Sequence, residues 1–196
     1  MELSWERPDV INFSSERIAL GPLREELAPL YTKWRNDFWV QRTFGSALRP
    51  VSLEMTVEYM RELAESASSY PFIIYRHDTW QPIGSANLHN IDLLHQTAEF
   101  GIMIGERSQW NQGFGTETAR LVLFYGFRVL NLQVISLMVD GANPGGQRAY
   151  EKAGFKHAGR YREFVVVDNQ RVDLIHMDCV AREFTDPPVV RWEAPE

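Results

Sequence analysis

The spacing of apolar residues changes period several times along this chain. From Leu27 to Asn36 it is helical, with Pro29 tolerable only in a first turn. A second helical stretch follows Ser52, which precedes Glu54 as a helix start should, and runs to about Ala67. Glu16–Leu20 reads as a first strand closed by Gly21-Pro22. Pro71–Arg76 and Ile83–Leu88, separated by a turn at Gln81-Pro82, read as a hairpin. Thr97–Ile104 is a further strand, in which Glu99, Gly101 and Met103 alternate with Phe100, Ile102 and Ile104. The run from Glu117 to Leu130 returns to helical spacing, with Ala119, Val122, Leu123, Gly126 and Val129 as its core stripe. Val134–Val139 is apolar on both faces, the pattern of a buried central strand. Asn143-Pro144 opens a last helix and Gly154 closes it. Arg160–Val167 and Gln170–Asp178 then flank a turn at Asp168-Asn169.

This order predicts an α+β (α/β) fold with a mixed, mainly antiparallel central sheet flanked by helices. The strand–helix–strand unit over 97–140 should be parallel and right-handed, which sets Gly113-Phe114-Gly115 at the carboxyl end of a strand. At 196 residues the chain suits one domain. We place it at 15–182, between an N-terminal arm (1–14) and a loose C-terminal tail (183–196) containing Pro187-Pro188.

Composition narrows the function classes. The net charge of −6 and the lack of a basic stripe argue against a nucleic-acid partner. No apolar run is long enough to cross a membrane, no secretion signal is visible, and a cytoplasmic location is the expectation. The single cysteine, Cys179, excludes an internal disulfide and a multi-cysteine metal site, and reads as a small buried residue. No metal is expected.

The chemistry concentrates around the two glycines. A Gly-x-Gly turn that opens a helix presents unpaired backbone N–H groups and the positive end of the helix dipole, the requirements for holding a phosphate. On its own such a turn is equally an ordinary tight turn. The neighbouring residues add a resemblance. Ala98-Glu99-Phe100-Gly101-Ile102-Met103-Ile104-Gly105 followed by Trp110-Asn111-Gln112-Gly113-Phe114-Gly115-Thr116-Glu117 resembles the acetyl-CoA-binding motif of GNAT-type N-acetyltransferases. Val139-Asp140-Gly141-Ala142-Asn143 and Ala149-Tyr150-Glu151-Lys152-Ala153-Gly154-Phe155 resemble the family's second motif. Tyr31-Thr32-Lys33-Trp34-Arg35-Asn36-Asp37 is similar to a signature of the branch that holds ribosomal-protein Nα-acetyltransferases and spermidine acetyltransferases. The resemblance covers about 15–182. It departs at Trp110, where the family's loop often carries Gln or Arg.

The resemblance implies a site. Acetyl-CoA is the co-substrate, its pyrophosphate held by Gln112, Gly113, Phe114, Gly115 and Thr116. The strand with Ile102, Met103 and Ile104 splays from its parallel neighbour, pantetheine pairs with the freed backbone, and a strand N–H polarises the thioester carbonyl. Asn143 either bonds pantetheine or only caps its helix. Tyr150 is the candidate acid for the CoA thiolate, or else a packed helix aromatic. The amine must lose a proton; Glu99 is the candidate base, with His89 and Asp92 as alternatives. The acceptor pocket is expected from Phe38–Arg49, with Trp39 and Phe44, and from the loop Asn90–His95, though those aromatics equally suit a staple between helices. The implied reaction is transfer of acetyl to a primary amine by direct attack. A small amine (polyamine, aminosugar or antibiotic) is the leading acceptor, and a protein N-terminus the alternative. A non-catalytic acyl-CoA-binding module is the rival from another class. The resemblance also admits a homodimer.

Overall fold

Alternation along the strands decides how the layers stack. The computed structural model describes residues 5–42, 49–188 and 190–192. Among them the strands are β1 (Phe13–Ser14), β2 (Ile18–Pro22), β3 (Tyr70–Arg76), β4 (Pro82–Asp92), β5 (Thr97–Ile104), β6 (Val134–Asp140), β7 (Lys156–Val167), β8 (Gln170–Val180) and β9 (Arg191–Trp192). They form one sheet in the order β7-β8-β6-β5-β4-β3-β2-β1-β9. Every described pairing is antiparallel except β5 with β6, which is parallel as the strand–helix–strand unit required.

The helices are α1 (Ala28–Asn36), α2 (Phe38–Gln41), α3 (Leu53–Glu65), α4 (Phe114–Phe124) and α5 (Pro144–Ala153). Ala98 and Phe100 of β5 share a buried cluster with Leu121 and Leu123 of α4 and with Ala153 of α5. Met103, on the opposite face of β5, instead joins Tyr31 and Trp34 of α1 and Met60 of α3. One face of the sheet is therefore covered by α4 and α5, the other by α1 to α3. Polar contacts fix α1: the Tyr31 hydroxyl lies 3.1 Å from Ser85 Oγ, and Trp34 Nε1 donates to Glu106 at 2.8 Å.

Three expectations are corrected. The tail is not loose throughout, because Arg191–Trp192 pairs with Phe13–Ser14 of the arm, which pairs on its other side with β2, and Phe13 is fully buried. Val129 does not belong to the core stripe and is 46% exposed. After Phe124 the helix widens into a π turn over Tyr125–Val129, with Leu130 N donating to Tyr125 O at 3.2 Å, and the wider turn rotates Val129 outward. β6 is covered unevenly: Ile135, Leu137 and Val139 on one face are buried, while on the other Met138 is 44% exposed and Asp140 is buried. That second face borders the gap where β5 and β6 part.

Candidate active site

The parallel ladder is short. Thr97, Ala98 and Glu99 pair with Val134, Ile135 and Ser136, and no described pair follows, so Phe100–Ile104 turn an open edge toward β6. The splay expected around Ile102, Met103 and Ile104 is present, and those three residues line a cleft of about 750 Å³. Trp110, the departure from the family pattern, spans the top of β5: its Nε1 donates to Ile104 O at 2.7 Å.

One end of the cleft is the glycine loop. Gly113 is the N-cap of α4 at φ +86, left-handed backbone that disfavours a side chain. No side chain caps α4, so its first-turn N–H groups face the cleft beside Gly113, Phe114, Gly115 and Thr116. A Cβ built on Gly115 meets nothing within 4 Å. Gln112 belongs to the same turn, but its side chain bonds back to Ser108 O and its carbonyl is taken by Arg17 Nη1 at 2.9 Å. Arg17 also donates to Glu117 at 2.8 Å and stacks over the Phe114 ring at 5.0 Å. It locks the loop onto the first strands. Sequence reading missed Arg17, whose partners lie about a hundred residues away with no local signal.

On β6 and α5, Asn143 Oδ1 accepts from Gly146 N at 2.8 Å, so the capping role is realised, and the residue also lines the cleft. Tyr150 sits edge-on to Phe100 and Phe155, with centroids 6.2 and 6.0 Å away. It is both a packed aromatic and a cleft residue, and burial pushes its phenol up to about 12.

Across β5 the face reverses. His89 and Glu99 are register partners on neighbouring strands and both line the cleft. Glu99 Oε1 accepts from Asn90 Nδ2 at 3.0 Å. Burial lowers the His89 imidazole below its ordinary value, and Glu99 opposes that shift. Asp140, also in the cleft wall, is pushed upward by burial.

The acceptor end differs from the expectation. Trp39 lines the cleft on α2, which Asp37 caps by accepting from Trp39 N at 2.9 Å. Phe44 lies outside the described residues. Asp92 is set apart: it accepts from His95 N at 2.8 Å in the β4–β5 turn, and no residue of Asn90–His95 lines the cleft. Phe164, Val165 and Leu174 of the β7–β8 hairpin line the cleft instead. There Arg162, Glu163 and Phe164 bulge opposite Asp173; Glu163 holds φ +51, and its N–H donates to Asp173 Oδ1 at 3.0 Å. A bulge re-aims its residues, and Phe164 is left 61% exposed at the cleft. An ion pair between Arg42 and Asp168 ties α2 to the hairpin tip. Cys179 is buried behind this site, its thiol pushed up to about 11. Among the described residues no group of His, Cys, Asp and Glu could hold a metal ion, and no helix is long and apolar enough to cross a membrane.

Comparison with known proteins places this geometry. The family model described as an acetyltransferase (GNAT) domain matches residues 17–156. Spermidine N(1)-acetyltransferase of Escherichia coli K12 is 35% identical over 167 residues, covering 85% of this chain and 87% of that protein. The putative ribosomal N-acetyltransferase YdaF of Bacillus subtilis is 27% identical over 101 residues, covering 52% of this chain and 55% of that one. Among solved structures, spermidine N-acetyltransferase from Vibrio cholerae in complex with CoA and spermine superposes with a TM-score of 0.78 at 22% identity, over 85% of this chain and 96% of that one. A GNAT-family acetyltransferase from Bacillus anthracis superposes at 0.76 and 18% identity, over 89% and 100%.

Proposed function

Because this chain belongs to the GNAT acetyltransferase family, with acetyl-CoA as co-substrate, we propose that it transfers the acetyl group to the primary amine of a small molecule by direct attack. The observation that carries this reading is the cleft between β5 and β6, with an open helix N-terminus at one end and His89, Glu99 and Tyr150 further in. The α4 N-terminus and Gly113–Thr116 bind the pyrophosphate of acetyl-CoA. Pantetheine lies along the free edge of β5, and a β5 N–H donates to the thioester oxygen as it gains negative charge.

The amine arrives as an ammonium and is held by the Glu99 carboxylate. His89, neutral near pH 7 because burial lowers it, takes one proton directly or through water. The nitrogen lone pair forms the C–N bond as the C–S bond breaks, and the nitrogen gives up its second proton, which passes through water to reprotonate the Tyr150 phenol as sulfur is protonated. A phenol near 12 stays protonated at every working pH. Full transfer to a thiolate whose acid sits near about 8.5 is uphill by roughly 3–4 units. Tyr150 therefore serves first as a hydrogen-bond donor to the departing sulfur, and a proton passes to sulfur as the phenol is reprotonated.

The likeness to YdaF supports the second reading, a protein N-terminus as acceptor. Release of CoA by the purified protein, with polyamines, aminosugars, aminoglycosides and short peptides in turn, separates the two. Turnover on small amines is the expected result, and Tyr150→Phe should lower kcat about 10²-fold with acetyl-CoA affinity unchanged. Turnover on peptides alone moves the function to Nα-acetylation. Binding of acetyl-CoA without any turnover points to a non-catalytic module.

A further inference from the structure

We infer that the acceptor is a primary monoamine on an apolar, flat body, an arylalkylamine in chemical class, and not a polyamine; this rests on the acetyltransferase reading above. The charges at the acceptor end carry the inference. Glu99 is a partly buried cleft carboxylate and already accepts one hydrogen bond from Asn90, so it suits a single ammonium. Asp140 is the other acid in the cleft wall, and it is almost fully buried and pushed toward its neutral form. Asp37, next to the acceptor wall, spends its carboxylate on the α2 backbone and faces Arg107 at 3.8 Å. Among the described residues, the Arg and Lys side chains lining the cleft are Arg42, Arg148 and Lys152.

A linear polyamine carries several ammonium groups along its length and needs a carboxylate near each. Here the groups beyond the first would meet Arg42, already paired with Asp168, and an apolar wall, at a cost in desolvation. That wall consists of Trp39, Met103, Met138, Phe164 and Leu174. Trp39 and Phe164 are 58% and 61% exposed, so each has ring surface free to be covered. Arg42 and Arg107 lie over the Trp39 ring at 5.3 and 5.7 Å, which holds the indole in place before a ligand arrives. Covering one aromatic ring is worth about a ten- to hundredfold gain in transition-state binding.

The test is CoA release by the full chain with 2-phenylethylamine, tryptamine, spermidine and a free-N-terminus peptide, alongside calorimetric titration of acetyl-CoA. The expected result is a kcat/KM for the aromatic monoamines at least about tenfold above spermidine. Trp39→Ala and Phe164→Ala should each raise the monoamine KM about tenfold and leave acetyl-CoA affinity unchanged. Both side chains are mostly exposed, so these variants should fold. Spermidine as the equal or better substrate overturns the inference while leaving the acetyltransferase reading intact. Turnover on the peptide alone, or an unchanged monoamine KM in both variants, also overturns it. Absence of acetyl-CoA binding overturns the acetyltransferase reading and this assignment together.

Discussion

At the scale of single residues, environment sets what each titratable group can do. His89 and Tyr150 both line the cleft and are both perturbed by burial, with opposite consequences. Burial disfavours the charged form of each. The imidazole is thereby kept neutral, ready to accept a proton, and the phenol is kept protonated, ready to donate. The signs fix a pH profile. A base must be unprotonated, so kcat should fall as pH drops through a limb below the ordinary histidine value of about 6.5. Tyr150 should cause no alkaline fall until near pH 12. A pH series on the wild type and on His89→Asn checks this, because the acid limb should vanish or move in the variant. The same limb in both would give the base role to another group.

At the scale of elements, the start of α4 is built to hold an anion. Its two glycines have different duties. Gly113 takes left-handed backbone, so any side chain there strains the turn. Gly115 carries no such strain, and a Cβ there meets no protein atom within 4 Å. The space beside Gly115 belongs to the cleft and not to the core. Gly115→Val should therefore leave the melting temperature nearly unchanged and weaken acetyl-CoA at least about 10²-fold, through steric exclusion of the pyrophosphate from the helix N-terminus. Calorimetry beside thermal melting reads both. Unchanged affinity would displace the phosphate site from this loop.

At the scale of the molecule, the proposed acceptor end of the cleft draws on segments far apart in sequence. The Arg42–Asp168 pair joins α2 to the tip of the β7–β8 hairpin across 126 positions. Its carboxylate is 59% exposed, and an exposed pair contributes about 0.2–1 kcal/mol at most. Its value lies in position, since it sets the Trp39 wall relative to the Phe164 wall. Arg42→Ala should hardly move the melting temperature, yet raise the acceptor KM several-fold with acetyl-CoA affinity constant. Asp168→Ala should do the same, and the double variant should add little further. Fully additive effects would show that the two residues act separately.

Several features needed no tertiary information. The periods of α1, α3, α4 and the strands are local, and so is the cap chemistry of Ser52, Asn143 and Gly154, because apolar spacing and a single hydrogen bond are decided within one or two turns of chain. The Asp168-Asn169 turn was legible for the same reason: both residues tolerate the positive φ that the hairpin imposes. The glycine loop at the cleft was legible because the groups proposed to bind the cofactor are backbone N–H groups whose placement depends on a contiguous strand–glycine–helix run. The tertiary structure alone decided the rest. Arg17 reaches the glycine loop, Phe164 and not the Asn90–His95 loop lines the cleft, and β9 covers Phe13, all through contacts between distant segments. The outward turn of Val129 follows from one wider helical turn that no periodicity announces. The uneven burial of β6 follows from its divergence from β5, where a strand that reads as doubly buried instead turns a face to the cleft. Local pattern reports what a residue can bury; only the packed chain settles what is there to bury it against.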